Sequence, residues 1–179
     1  MDKPFVLTAT PLTAPAWAPF GWLPVADTDP ADANQGLEFA WSDPHLNVIS
    51  HGADEISRVG QSLICDRLYR HSTHTQALTP INVDSVLVVA PLSAEFSSPA
   101  DRKQLQAFLL PKFATVVLHA GTWHWGPFPL GAEPVNLLNL QGRGYERDND
   151  CVDLSLATGP VEVLLPSPQR PARVRGSCC

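Results

Sequence analysis

A chain of 179 residues with 44% hydrophobic content is long enough for one domain with a real core and short for two. Only 17% of its residues are charged and 18 are proline, which favours short segments joined by turns over long helices. The net charge of −6 argues against a nucleic-acid surface, and no apolar run reaches the length of a membrane-spanning helix.

In chain order, the opening MDKPFVLTAT lacks the apolar core of a secretory signal. The four cysteines (Cys65, Cys151, Cys178 and Cys179) show no CxxC spacing, so reduced thiols in a cytoplasm are expected. Residues 1–30, rich in proline and tryptophan (TAPAWAPFGWLP), read as an arm with one short strand that packs on a domain at 31–165. Strand-like runs then recur at 46–51, 62–71, 75–80, 85–91, 105–110, 114–120, 135–140, 151–156 and 161–165. Several are rich in Val, Leu and Ile, and turn residues separate most of them. Ser98 and Pro99 suit the cap and first position of a single helix. The gaps are too short for crossover helices, which leaves an antiparallel sandwich or barrel. Residues 166–179, with Arg170, Arg173 and Arg175 among prolines, read as an extended tail.

Two stretches do not serve a strand or a turn alone. In LYRHSTHTQALTP, residues 68–80, the two-residue period of a strand puts Tyr69 and His71 on one face, and Gln76 follows beyond a bend. In HAGTWH, residues 119–124, Gly121 supports a tight turn that aims His124 across the sheet. The spacing Tyr69-x-His71, four residues, Gln76, then His119-x-Gly121-x-x-His124 resembles the two cupin motifs, with Tyr69, Gln76 and His119 where a histidine, a glutamate and a proline would stand.

The ordered set RHSTHTQALTPI, VLVVAP, LHAGTWHWGPFPL and GRGYERDNDC, preceded by WAPFGWLP, resembles the ureidoglycolate lyase family from about Trp17 to Leu156. That family's pattern runs Glu-Arg-His, Thr-Gln-Ala-Phe-x-Pro, a Val-rich strand, Trp-His-His-Pro, Asp-Arg-Gly and Asp-Asn-Cys. Here Tyr69 replaces the glutamate, Trp125 the second histidine, and Gly142 the aspartate. The resemblance implies an all-β, cupin-type antiparallel β-barrel, or jelly roll, with few short helices. It also implies cleavage of (S)-ureidoglycolate to glyoxylate and urea in allantoin and purine breakdown. The partner would be a small carboxylate, with no nucleic acid and no membrane, and the chain would pair as a homodimer.

His71 and His124 are the expected acid and base, with the two roles unassigned. Gln76 would orient the substrate, Arg143 would hold its carboxylate, and Tyr69, His119 and Trp125 would line the pocket. Trp123 is expected in the core. His74 reads as local, His45 and His51 receive no functional role, and Asp148-Asn149-Asp150 reads as a polar turn before a strand. As metal ligands, His71, Gln76 and His124 form a neutral, incomplete set, and Tyr69 would have to ionise from a phenol pKa of about 10 to help. Weak binding of zinc, manganese or nickel, or no metal, is expected. Two other readings stay open: a cupin-like binding or regulatory module without turnover, and a cupin enzyme acting on another small hydroxy acid.

Overall fold

The computed structural model describes residues 5–31, 39–40 and 43–166, so nearly all of the expected tail lies outside the described residues. The strands are β1 (Phe5–Thr8), β2 (Thr10–Pro11), β3 (Gly21–Trp22), β4 (Pro44–His51), β5 (Arg58–Val59), β6 (Ser62–Cys65), β7 (Arg67–Arg70), β8 (Gln76–Pro80) and β9 (Ser85–Ala90). They continue with β10 (Gln106–Leu110), β11 (Val116–Leu118), β12 (Trp123–Pro129), β13 (Val135–Gly142), β14 (Asp150–Asp153) and β15 (Val161–Leu164). Two one-turn helices, α1 (Ala14–Trp17) and α2 (Leu154–Ala157), interrupt them.

The fold is all-β, of the jelly-roll kind. Its strands lie in three open sheets ordered β1-β15-β6-β5, β14-β7-β12-β9-β10-β2 and β3-β11-β8-β13-β4, and the described register does not close them into one ring. Pairing is antiparallel except for β1 with β15 and β2 with β10. Residues 5–22 thus contribute one strand to each sheet.

Strand β9 (SVLVVA) shows why the layers stack as they do. All six of its residues are buried. Val86, Val88 and Ala90 join a core with Leu63, Cys65, Val161 and Val163 of the four-stranded sheet. The alternate residues Leu87 and Val89 join a second core with Leu78, Val116, Leu118 and Leu137 of the five-stranded sheet. A strand covered on both faces needs a continuous apolar run, which this sequence supplies. The six-stranded sheet is therefore the middle layer. Each of its buried Val or Leu side chains stabilises the fold by about 1.5–3 kcal/mol. In the second core, Trp17, Phe20 and Phe108 stack with ring centroids 5.5–6.0 Å apart.

Three local features differ from the sequence reading. The run 62–71 is broken at Asp66, where the chain leaves the four-stranded sheet for the six-stranded one; the Asp66 carbonyl accepts the Leu154 amide at 2.7 Å across the corner. The helix expected after Ser98 is a single 3-10 stretch, Pro99–Gln104, with the Asp101 carboxylate taking the Ser98 amide at 2.9 Å. The run 151–156 stops at Asp153, whose side chain accepts from the Leu156 amide and caps α2.

Candidate active site

The space between the six- and five-stranded sheets is filled with apolar side chains at one end and open at the other. The open end is a cavity of about 590 Å³. Its two walls follow from strand parity. On and just beyond β7, Arg67, Tyr69 and His71 face the cavity. Between them Leu68 turns into the first core, and Arg70 lies 4.3 Å over the Trp123 ring while pairing with Asp150 at 3.0 Å. On β12, His124 stands in register with Tyr69. The facing sheet adds Gln76 and Leu78 from β8, Gln141 from β13, and Ile49 and His51 from β4.

Two turns hold the histidines. Gly121 has a φ of +82°, and its amide donates to the His71 carbonyl at 2.6 Å, so the two sequence motifs are tied by a direct hydrogen bond. The positive φ is what calls for glycine at this position, because the side chain nearest to a would-be Cβ, Leu92, is exposed and free to move. The second turn is built on Asp148. Its carboxylate accepts from the Ser72 amide at 2.9 Å, the Thr73 amide at 2.7 Å and the Thr73 hydroxyl, and lies 3.3 Å from His74 Nδ1. Burial opposes the charge on Asp148, but these hydrogen bonds keep its carboxyl below the usual value.

His71, His74 and His124 form a buried cluster. The His71 ring centroid lies 4.7 Å from that of His74, stacked, and 5.5 Å from that of His124. His71 Nδ1 is 2.7 Å from the Asp148 carbonyl, and His124 Nδ1 is 3.2 Å from the Thr122 carbonyl. A carbonyl can only accept, so Nδ1 carries the proton in both rings and Nε2 keeps a lone pair. Burial lowers the pKa of all three. For His124, burial and the neighbouring His71 push it down to about 3. The pair His71–His124 is therefore neutral at neutral pH, each ring with an Nε2 lone pair, and burial makes His124 a weak base.

Tyr69, His71, Gln76, His124 and Trp125 all border the one cavity. Trp125 is 4% exposed and packs on Phe128 with ring centroids 4.4 Å apart, while Trp123 sits in the first core with its indole N–H on the Ala94 carbonyl. His119 is exposed and does not border the cavity, but it borders a small gap lined also by His71, His74, Gln76 and His124. Arg143 requires a correction. It lies outside the cavity, in a separate depression, with its side chain 63% exposed and its guanidinium paired to Asp43 at 3.0 Å. The arginine that borders the cavity is Arg67, whose guanidinium grips Asp66 at 2.9 and 3.0 Å. The donor set does not fit a three-ligand catalytic metal site. Among the described residues no three His, Cys, Asp or Glu side chains gather to hold an ion, and Gln76 offers only an amide oxygen.

A comparison with protein families matches residues 4–163 to Ureidoglycolate lyase. The chain belongs to the ureidoglycolate lyase family. It is therefore a lyase, and its function is that of the ureidoglycolate lyases. Among curated proteins the comparison found no match to this chain. No helix among the described residues is long and apolar enough to cross a membrane.

Two of the three departures from the family pattern, Tyr69 and Trp125, border the cavity, and the third, Gly142, lies against the His74 ring. Tyr69 lies two residues from Arg67 on the same face of β7. Tyr145, from the turn Tyr145–Arg147, meets the His71 ring edge-on at 6.4 Å. Sequence reasoning passed over Arg67, His51, Gln141 and Asp148. Arg67 was within reach, because the period of two that pairs Tyr69 with His71 extends back to it. Gln141 and His51 need the pairing of β13 with β4, and Asp148 acts across 76 residues on Ser72, for which no local signal exists.

Proposed function

We propose that the cavity cleaves (S)-ureidoglycolate to glyoxylate and urea, as a carbon–nitrogen lyase of the amidine-lyase type in allantoin breakdown. The observation that carries this reading is the pair of buried, neutral imidazoles, His71 and His124, on the wall of a cavity that an arginine also borders.

The substrate carries a carboxylate, a hydroxyl and a ureido nitrogen on one carbon. Arg67 keeps guanidinium N–H donors beyond those spent on Asp66 and suits the carboxylate. An imidazole Nε2 accepts the hydroxyl proton as the carbonyl of glyoxylate forms. The electron pair of the breaking C–N bond goes to nitrogen, which takes a proton to leave as urea. General base assistance of this kind accelerates such steps by about 100- to 10,000-fold. Gln76 donates its amide N–H to Asn139 Oδ1 at 2.9 Å, and Asn139 donates to Asn47 Oδ1 at 2.8 Å. That chain holds the Gln76 carboxamide in place and leaves its buried oxygen without a donor, which suits a ureido N–H. No step passes through a metal ion.

The aromatic lining from Tyr69, Trp125, Phe128 and Tyr145 favours a second reading, a small-carboxylate binding module without turnover. One experiment separates the two. Purified protein given (S)-ureidoglycolate should release glyoxylate and urea in equal amounts. Ammonia in place of urea, or no release with or without added Mn²⁺, Zn²⁺ or Ni²⁺, contradicts the lyase reading.

A further inference from the structure

The reaction needs a proton for the departing nitrogen, and neither buried imidazole carries one at Nε2 before the hydroxyl proton has been taken. His71 and His124 both turn Nδ1–H to a backbone carbonyl and offer a lone pair at Nε2. A third histidine on the cavity wall is held in a different way. His51 ends β4, where the inner face runs His45, Asn47, Ile49, His51, and Leu46 and Val48 face out, 61% and 57% exposed. The chain then turns tightly through Ala53–Glu55. One Glu55 oxygen accepts the Gly52 amide at 2.6 Å, and the other lies 3.1 Å from His51 Nδ1. The His51 ring also rests on Phe128, centroids 5.0 Å apart. Both His51 and Glu55 border the cavity.

A carbonyl partner demands a neutral donor at Nδ1, whereas a carboxylate partner provides the countercharge for an imidazolium. We propose that His51 is the general acid of the reaction and that Glu55 is its positioning residue. This rests on the ureidoglycolate lyase reading of the same cavity. The proton balance closes: a neutral imidazole of the His71–His124 pair takes the hydroxyl proton, and the C–N electrons go to nitrogen. His51 gives that nitrogen its Nε2 proton, and solvent returns one proton to His51 and removes one from the base. Burial opposes the charge on Glu55, yet the Gly52 amide and the His51 ring more than offset it, so Glu55 remains a carboxylate. The titratable groups that share the cavity with His51 are Glu55 from its own turn, His124 from β12, Asp66, Arg67, Tyr69 and His71 on and beside β7, and Tyr145 from the turn Tyr145–Arg147.

The test compares wild-type protein with His51→Gln and Glu55→Gln, following urea release across pH, with thermal melting of each. Gln at position 55 retains an oxygen for the Gly52 amide, so that variant separates the acid role from the turn. His51→Gln should lower kcat by about 100-fold with little change in KM, and should remove the fall in rate at high pH that marks a required acid. Glu55→Gln should keep the melt and move that fall to lower pH. Added imidazole should restore part of the rate to His51→Ala. Active wild-type protein with unchanged kcat and pH profile in both Gln variants overturns the acid assignment alone. Wild-type protein that releases no urea overturns the lyase reading, and this assignment with it.

Discussion

The space between the six- and five-stranded sheets has two ends built on the same strands with opposite chemistry. At one end Trp17, Phe20, Phe108, Leu87 and Val89 close on each other, and the polar side chains among them are satisfied by backbone: the Trp17 indole donates to the Val117 carbonyl at 3.2 Å and the Ser85 hydroxyl to the Leu110 carbonyl at 3.2 Å. At the other, the inward positions of β7, β12, β8, β13 and β4 carry Tyr69, His124, Gln76, Gln141 and His51 around an open cavity. Leu78 belongs to both. Among the described residues, three of the four buried side-chain atoms left without a hydrogen-bond partner lie in or beside the polar end (Gln76 Oε1, Gln141 Oε1 and His74 Nε2), and the fourth is Trp22 Nε1. Each such atom costs about 1–3 kcal/mol. The apolar end thus holds the sheets together, and the polar end spends part of that stability on a site that a ligand can complete.

Substitutions at the two ends should fail in different ways. Phe108→Ala should cost the largest amount, about 3–5 kcal/mol of stability in chemical denaturation, with kcat preserved in protein kept cold enough to stay folded. A loss of kcat larger than the loss of folded fraction would break the division. At the polar end, stability should depend on pH through His124. Its folded pKa is pushed from 6.5 to about 3, so the unfolded chain binds a proton that the folded chain refuses. Folding is unpenalised above about pH 6.5 and weakens as pH falls toward about 3, by on the order of 3 kcal/mol at about pH 4. His124→Gln should flatten that part of the curve in denaturation followed across pH. The smallest pair of effects concerns the arginines. Arg67→Ala should raise KM about 10-fold, the loss of one charged hydrogen bond, and Arg143→Ala should leave kcat and KM unchanged in the same assay. Equal effects from the two would return Arg143 to the site.

What was legible in the sequence follows the same division. Strands with apolar runs or clear alternation, such as β9 and β13, stand out because burial on one or two faces leaves a period in the chain. Strand β12 reads as a turn and a histidine because Trp123-His124-Trp125-Gly126-Pro127 mixes both signals. Its register shifts between Trp125 and Phe128, where Gly126 takes a φ of +91°. At the site, parity accounts for Tyr69 and His71 on one face, and Gly121 for the turn before His124. Arg143 misled because two flanking glycines suggest a close approach to an anion, whereas its partner is Asp43. His51 and Asp148 were silent because their roles arise from partners that only the folded chain brings near: the pocket wall for one, and the bend at Ser72 and Thr73 for the other.

If the polar end is a reaction site maintained by the apolar end, one preparation of the double variant His71→Gln, His124→Gln should show it in urea release and thermal melting. The melt should stay cooperative and close to that of the wild-type protein, with urea release at the background rate. Urea release at the wild-type rate from that variant would contradict it.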